Sequence, residues 1–284
     1  MAITFRNLPK GSAIGSGSYV FRHYGEETVK TPDYLCFTSE QAGSTVAMAV
    51  NGTPTKRQAF ETSTDGVVWS VFTPGTTTIT LANAGDKVYF RGDNTTVSES
   101  SSNYYKFVMS GKIAASGNIM SLLDKTCKSR TISNNYCYYY MFYNCTSLTT
   151  APTLPATTLA NYCYYYMFRG CKNLTTAPTL PATTLANYCY RNMFYNCTSL
   201  TTAPALPATT LASNCYNGMF NSCTSLQVHS SSGTGHTKAW RIPTSGSASS
   251  YTSQSNMFYN CPGSYKTKSS VSLNRTFYTQ NTPV

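Results

Sequence analysis

The sequence predicts a mainly β protein, with an N-terminal antiparallel β-sandwich followed by a short solenoid of 26-residue repeats. Each repeat is expected to hold a strand plus a short helical or 3-10 turn. Three observations predict this fold. The chain has 23 Tyr and many Thr, which suit strands better than helices. Turn signals recur in the first half, and a Met-Phe pair recurs every 26 residues in the second. The length of 284 residues is enough for two cores.

Residues 1–30 are predicted to be a flexible arm or linker, because Gly and Ser dominate positions 11–18. This stretch lacks the Lys-Ser/Thr that follows the glycines of a phosphate-binding loop. The first ten residues also lack the basic and apolar regions of a signal peptide. We therefore expect an arm that orders against a partner, in a protein that does not use the general secretory route.

Residues 31–118 are predicted to form the β-sandwich. Gly-containing turn signals, such as those at Gly52, Gly66 and Gly75, separate short segments of alternating polarity. That spacing favours a sandwich. The predicted strands are Tyr34–Thr38, Thr45–Val50, Gln58–Thr62, Val67–Phe72, Thr77–Leu81, Lys87–Arg91 and Tyr104–Ser110.

Residues 119–262 are predicted to form the solenoid, with an insertion around residues 227–256 and a C-terminal tail or cap at 263–284. The pattern repeats at Met141, Met167, Met193 and Met219. Two Cys columns share the period: Cys137, Cys163, Cys189 and Cys215, and then Cys145, Cys171, Cys197 and Cys223. A single repeat has too few apolar side chains to offset the entropy of ordering 26 residues, so the repeats must stack.

Within one repeat, Leu-Thr-Thr-Ala-Pro-x-Leu-Pro is expected to supply the strand, and Asn-Tyr-Cys-Tyr-x-x-Met-Phe the helical or 3-10 turn. Pro152 and Pro155 lack an N–H and limit the strand's length. Together with the following Cys-Thr-Ser-Leu, these motifs resemble the BspA-type leucine-rich repeats. The resemblance covers about half of the chain. It implies a curved leucine-rich-repeat solenoid with an adhesion or recognition role, as in surface proteins of gut anaerobic bacteria and in proteins of their phages. The chain departs from that family in having few repeats and no secretion signal.

The cysteines are predicted to be free, buried thiols. No Cys-x-x-Cys pair occurs, and the spacing of eight within a repeat fits no usual zinc pattern. Side chains in one column point the same way, which is poor geometry for a disulfide. Buried thiols that act as small apolar groups account for both columns. We expect no metal and no cofactor.

The positions around Met-Phe are the candidate ligand contacts, because they vary between repeats that are otherwise nearly identical. Exposed Tyr beside Lys or Arg would make an amphipathic, cationic face suited to sugars or proteins. The alternative is that the tyrosine rings stack between repeats and shield the core. The candidates are Tyr139, Tyr140, Tyr165, Tyr166, Arg169, Lys172, Arg191, Asn192 and Asn217.

The net charge of +11 is concentrated in the second half, where eleven Lys and Arg face a single acid, Asp124. Such a field favours anionic partners. With one acid after residue 99, the repeats lack paired carboxylates or a Ser-His-Asp set, and His229 and His236 fall in a Ser/Gly-rich loop. We therefore expect no enzyme.

The resulting hypothesis is a structural and adhesion protein, most simply a phage virion surface or fibre component that is extracellular after lysis. Residues 1–118 would contact other virion or surface proteins, and the solenoid would recognise a host-surface glycan or protein. A bacterial cell-surface adhesin and a polyanion-binding intracellular scaffold are the alternatives. The sequence contains no run of 18 apolar residues, so no membrane span is predicted. Nucleic acid is not expected as a partner, and a homo-oligomer stays open.

Overall fold

The structure is a computed structural model, and it describes residues 32–55, 58–241, 245–246, 255–268 and 276–280. The predicted arm, residues 1–30, lies outside the described residues, as do parts of the predicted insertion and tail. The protein is mainly β. Its only helix within the described ranges is a 3-10 helix at Ile119–Leu122.

Two sheets form the N-terminal half. One has the strand order β4-β3-β6-β1-β8-β9 and the other the order β5-β2-β7, and every pairing is antiparallel except β8 with β9. The strands are β1 (Leu35–Ser39), β2 (Ser44–Asn51), β3 (Phe60–Ser63), β4 (Ser70–Phe72), β5 (Thr78–Leu81), β6 (Lys87–Gly92), β7 (Tyr104–Ser110), β8 (Ile113–Ser116) and β9 (Leu148–Thr150). Each of the seven predicted strands overlaps one of β1 to β7.

Two details of this half differ from the prediction. Strand β4 begins at Ser70 and not at Val67, because the N–H groups of Val67 and Val68 donate to the Asp65 carboxylate, at 2.8 and 2.9 Å. Strand β8 was not predicted.

Both sheets contribute to one core, since Phe37 of β1 packs edge-on against Phe107 of β7 with ring centroids 4.8 Å apart.

Consecutive repeats lie directly on one another. We number repeats 1 to 4 from residues 136, 162, 188 and 214, and repeat 5 includes residues 255–261. The N–H of Phe142 donates to the Met167 carbonyl at 2.8 Å, and the N–H of Phe168 to the Met193 carbonyl at 2.9 Å. The phenylalanine rings stack nearly parallel at centroid distances of 5.2 to 5.9 Å. That column contains Phe142, Phe168, Phe194, Phe220 and Phe258.

The predicted helical or 3-10 turn of each repeat is a run of separate tight turns, and no helix is formed in these segments of the described chain. Alternate N–H groups reach the next repeat, as in Tyr138 to the Cys163 carbonyl at 2.9 Å, so they cannot take part in a helical ladder. The N–H groups between them close tight turns, as in Tyr139 to the Tyr136 carbonyl at 2.9 Å. Every fourth residue is left-handed, with φ of 62° at Tyr136 and 59° at Tyr140. A left-handed residue interrupts a right-handed helix, and the segment is a series of tight turns.

The predicted strand is short or missing in most repeats. Repeat 1 has β9, and Thr176 and Thr202 form a single parallel bridge between repeats 2 and 3. Strand β10 (Thr210–Leu211) of repeat 3 lies after the predicted strand segment. Two prolines shortly after the strand positions, such as Pro152 and Pro155 after β9, lack N–H donors and keep these ladders short. The remaining strands are β11 (Val228–His229), β12 (Lys238–Arg241), β13 (Ser245–Gly246) and β14 (Thr276–Thr279). β10 pairs with β13, and β14 lies between β11 and β12.

The N-terminal half forms the layer on which repeat 1 stacks. Phe107 of β7 donates its N–H to the Met141 carbonyl at 2.8 Å, and its ring stacks on Phe142 at 5.4 Å. At the other end, Phe277 of β14 contacts Phe258 at 5.4 Å. One core therefore runs from the sheets through the repeats, and residues Pro32–Val284 form one compact unit.

Candidate functional site

The tyrosines at the predicted ligand positions stack from repeat to repeat. Tyr139 and Tyr165 are nearly parallel with centroids 5.3 Å apart, and Tyr140 and Tyr166 lie 5.1 Å apart. The alternative expectation of stacked rings therefore describes these four residues. Stacking occupies ring faces, so the column presents mainly ring edges and hydroxyl groups to solvent.

Two of the candidate contacts are buried and not exposed. Tyr139 is 7% exposed, and burial raises the pKa of its hydroxyl. Asn192 is 9% exposed, and its side-chain oxygen lies against Gly218 of the next repeat, where a Cβ would overlap it. The rings of Tyr104 and Tyr165 cover Tyr139, and the next repeat covers Asn192. Tyr140, Tyr165, Tyr166, Arg169, Arg191 and Asn217 are partly buried, and Lys172 is exposed.

The candidate cations lie on aromatic rings. The Arg169 guanidinium is 4.8 Å from the Tyr166 ring and lies between Tyr143, at 5.5 Å, and Tyr195, at 4.9 Å. The Arg191 guanidinium is 5.8 Å from Tyr165 and 5.6 Å from Tyr188. Each such contact contributes on the order of 0.5–1 kcal/mol at a surface, and more where water is excluded. Both guanidinium groups are thus held in place without a carboxylate.

The ion pairs of the described chain lie elsewhere. They join Arg91 and Lys125 to Glu61, and Lys112 to Glu40, all in or next to the N-terminal sheets. The buried Nε of Arg191 has no hydrogen-bond partner among the described residues. The repeats therefore present positive charge that the protein itself does not neutralise, on a face lined by phenol rings.

The tyrosine surface is larger than the sequence indicated. We define it as the outward residues of repeats 1 to 3 together with two from β7: Tyr104, Lys106, Tyr136, Tyr140, Tyr143, Tyr162, Tyr165, Tyr166, Arg169, Tyr188, Arg191 and Tyr195. The Lys106 ammonium lies 5.5 Å from the Tyr143 ring, and Tyr104 packs on Tyr140 at 5.1 Å. The column at positions 143, 169, 195 and 221 varies as much as the predicted positions do. Variation between otherwise nearly identical repeats, which selected the predicted positions, would also have selected this column.

The tyrosine surface ends at repeat 4, where small amides replace the rings. Tyr188 is followed in its column by Asn214, Arg191 by Asn217, and Tyr195 by Asn221. The alignment follows from the backbone, because the N–H of Asn192 donates to the Asn217 carbonyl at 2.8 Å and the N–H of Asn196 to the Asn221 carbonyl at 2.8 Å. The surface thus steps from bulky aromatic to small polar side chains.

All eleven cysteines are free and buried, which confirms that part of the prediction. In the second column the Cys145 thiol donates to the Phe107 carbonyl of β7. Each later thiol donates to a phenylalanine carbonyl of the preceding repeat, as in Cys171 to Phe142 and Cys197 to Phe168, both at 3.0 Å. Burial raises the pKa of Cys137 to about 11 and that of Cys197 to about 12. At neutral pH these groups are protonated, and they serve as packing groups and hydrogen-bond donors.

The histidine loop forms a ring pair. The His229 and His236 rings stack with their centroids 3.9 Å apart. The pKa of His229 is lowered, mainly because burial removes water from the ring and to a smaller extent because of the charge on His236. Within the described ranges no three His, Cys, Asp or Glu side chains are grouped as metal ligands. No helix in the part of the chain that the structure describes has the length and apolar character needed to cross a membrane.

Comparison with known proteins adds no relative to this picture. No protein-family model, no curated protein and no solved structure matches the chain.

Proposed function

We propose that the chain is a non-enzymatic structural and adhesion protein, in which an N-terminal β-sandwich carries a leucine-rich-repeat solenoid of the BspA type. Hydrogen bonds between residues one repeat apart, and aromatic columns that continue through five repeats, support the solenoid. The shared core of the two sheets supports the sandwich.

We further propose that the tyrosine surface recognises a glycan or protein on a host cell. The observation that carries this proposal is Arg169, held between Tyr143 and Tyr195 with no carboxylate to neutralise it. A fixed cation among phenol groups offers both charge and hydrogen bonds to a polar ligand. The resemblance to BspA-type repeats favours display on a phage virion, docked through residues 1–118, with a bacterial surface adhesin as the alternative.

Binding to cells tests the recognition proposal. Fluorescently labelled protein is mixed with gut anaerobic bacteria and measured by flow cytometry. We expect the Tyr166→Ala/Arg169→Ala variant to lose at least about tenfold in binding, equivalent to about 1.4 kcal/mol, while retaining the wild-type circular dichroism spectrum. Lys128→Ala, which removes an exposed cation outside the tyrosine surface, is the control and should bind as the wild type does. A wild type that binds no strain, or a double variant that binds equally well, rejects the proposal.

Location is a separate question with its own measurement. An antibody against residues 119–262 should label purified phage particles if the protein is a virion component. Labelling of bacterial cells, with none on particles, would favour the adhesin.

A polyanion-binding scaffold is a second candidate, because eleven Lys and Arg face one acid after residue 118. Purely electrostatic binding to a polyanion such as heparin weakens by orders of magnitude between about 50 and 200 mM salt. Binding through the tyrosine surface should persist over that range. Titration of the same cells at the two salt concentrations separates the candidates.

A further inference from the structure

One outward column runs through all five repeats and beyond. The N–H of Gly170 donates to the Tyr195 carbonyl at 2.8 Å, that of Ser222 to the Tyr259 carbonyl at 2.7 Å, and that of Asn260 to the Lys266 carbonyl at 2.9 Å. With the bond from Asn196 to Asn221, these contacts fix the order of the column. It reads Tyr143, Arg169, Tyr195, Asn221, Tyr259 and Lys266.

This column alternates between tyrosine and cation, except at Asn221. Lys106 precedes Tyr143, and Arg169 lies between Tyr143 and Tyr195 at 5.5 and 4.9 Å. Two tyrosines that are two repeats apart therefore leave room for one group of guanidinium size. Tyr195 and Tyr259 have the same separation in the column, but Asn221 between them is too short to fill the space as Arg169 does.

We call the space between Tyr195 and Tyr259 the slot. Tyr259 is exposed and Tyr195 is partly buried. Tyr259 is 39% exposed, among the most exposed large apolar side chains of the described chain. Arg169 covers one face of Tyr195, and Asn221 follows Tyr195 in the column. In repeats 1 and 2, by contrast, neighbouring rings cover each other's faces. Between Tyr195 and Tyr259 the column has only the small amide of Asn221, so neither a ring nor a guanidinium stands between the two tyrosines.

We propose that the slot formed by Tyr195, Asn221 and Tyr259 binds one pyranose ring of an acidic saccharide. The apolar C–H faces of a pyranose suit aromatic walls, and the Asn221 amide can bond hydroxyl groups. The oxygen of that amide already accepts from the Ser222 hydroxyl at 2.8 Å, which leaves its NH₂ as the donor for a ligand. This inference rests on the proposed function and places the ligand at the end of the tyrosine surface, where Tyr195 is followed by Asn221 and Tyr259.

The charge around the slot selects an acidic sugar. Arg169 and Lys266 occupy the column positions just outside the two tyrosines, and the sequence has no acid after Asp124. A carboxylate on the sugar is attracted by both cations. A second cation in the slot, such as an arginine from a protein partner, would instead add to the positive charge.

Calorimetry on the full chain tests the proposal. The acidic probes are hyaluronan tetrasaccharide, tetragalacturonate and 3′-sialyllactose; chitotetraose and maltotetraose are the neutral probes, and tetra-arginine represents a cationic partner. We expect at least one acidic probe to bind more tightly than both neutral ones. Asn221→Arg, which fills the slot as Arg169 fills its own, and Tyr259→Ala should each weaken that binding at least about tenfold, or about 1.4 kcal/mol.

The matched control is Thr224→Arg, which adds the same charge to the same repeat at an exposed position three residues further along the chain. It should bind the acidic probe as well as the wild type or better. If only Asn221→Arg loses affinity for the acidic probe, the arginine side chain must be filling the slot, since added positive charge alone would strengthen binding to an acid. The melting temperature of Asn221→Arg should equal or exceed that of the wild type.

Three results would overturn the slot: no acidic probe binds the wild type, Asn221→Arg binds as the wild type does, or tetra-arginine is preferred. These differ from failure of the proposed function. If the wild type binds cells and Asn221→Arg binds them equally, the slot is rejected and surface recognition stands. If the wild type binds no cells, surface recognition itself is rejected.

Discussion

Four tyrosines pack inside the repeats in nearly identical surroundings, yet their hydroxyl groups differ. The column consists of Tyr138, Tyr164, Tyr190 and Tyr216, each about 1% exposed or less. The Tyr138 hydroxyl donates to the Ile119 carbonyl at 3.2 Å, whereas that of Tyr164 has no partner among the described residues. A buried hydroxyl without a partner loses its hydration and gains nothing in return.

This difference predicts opposite effects for the same substitution. Tyr164→Phe should raise the free energy of unfolding by about 1 kcal/mol, because it removes an unsatisfied group. Tyr138→Phe, in the same column, should lower it by about 1 kcal/mol, since the Ile119 carbonyl loses its donor. Urea unfolding measures both, and equal losses in the two variants would contradict the prediction.

The sequence identified the cysteine and Met-Phe positions as core but missed this tyrosine column. Tyr has an apolar ring and a polar tip, so its presence in a motif does not distinguish interior from surface. Tyr164, inside, and Tyr165, partly outside, are adjacent and identical in type. Only the course of the backbone through the turns decides which of the two side chains faces the core.

At the scale of one repeat, the hydrogen-bond partners explain both the success and the failure of the prediction. The 26-residue period shows which residues are equivalent, so stacking could be inferred. The local structure could not be, because half of the N–H groups in the turn segment bond to carbonyls 25 residues ahead, as Tyr164 does with Cys189 at 3.0 Å. Propensities describe local bonds and carry no information on such distant partners.

The cysteine columns predict a loss of stability in alkali. Burial raises the thiol pKa, to about 12 for Cys145 and Cys197 against an ordinary value of 9.0, so the folded state holds protons that the unfolded state releases. The stabilisation is fully present below pH 9 and is lost as the pH rises from there toward 12. Each such thiol should contribute a slope of about 1.4 kcal/mol per pH unit in that window.

Urea unfolding between pH 7 and pH 10.5 measures this slope. Cys197→Ala provides the comparison. It lowers the free energy of unfolding at neutral pH because packing is lost. Above pH 9 the free energy should fall less steeply with pH than in the wild type, because one buried thiol no longer titrates. A free energy of unfolding that is constant above pH 9, or a slope unchanged by the substitution, would show that the thiols do not control it.

At the scale of the molecule, β7 and β8 both join the N-terminal half to repeat 1, and β7 also continues a core column of the repeats. Composition and the Met-Phe repeat predict a change of architecture near residue 118, but they do not show that Phe107 continues the phenylalanine column. Phe107 belongs to the alternating pattern of β7 and not to a Met-Phe motif. Even so, the Cys145 thiol donates to the Phe107 carbonyl at 3.2 Å, as Cys171 does to Phe142 in the next repeat.

This shared column predicts that β7 stabilises the repeats and not only its own sheet. Phe107→Ala should lower the free energy of unfolding by about 3–5 kcal/mol, because it opens a cavity between the sheets and Phe142. Val108→Ala, one residue away and 47% exposed, should change it by no more than about 0.5 kcal/mol.

Reaction of the repeat thiols with a chromogenic disulfide during urea unfolding reports on the repeats themselves. If Phe107 acts as their end layer, exposure of those thiols shifts to lower urea together with loss of the β signal in circular dichroism. Thiol exposure that stays at the wild-type midpoint would mean that the repeats fold without the sheets.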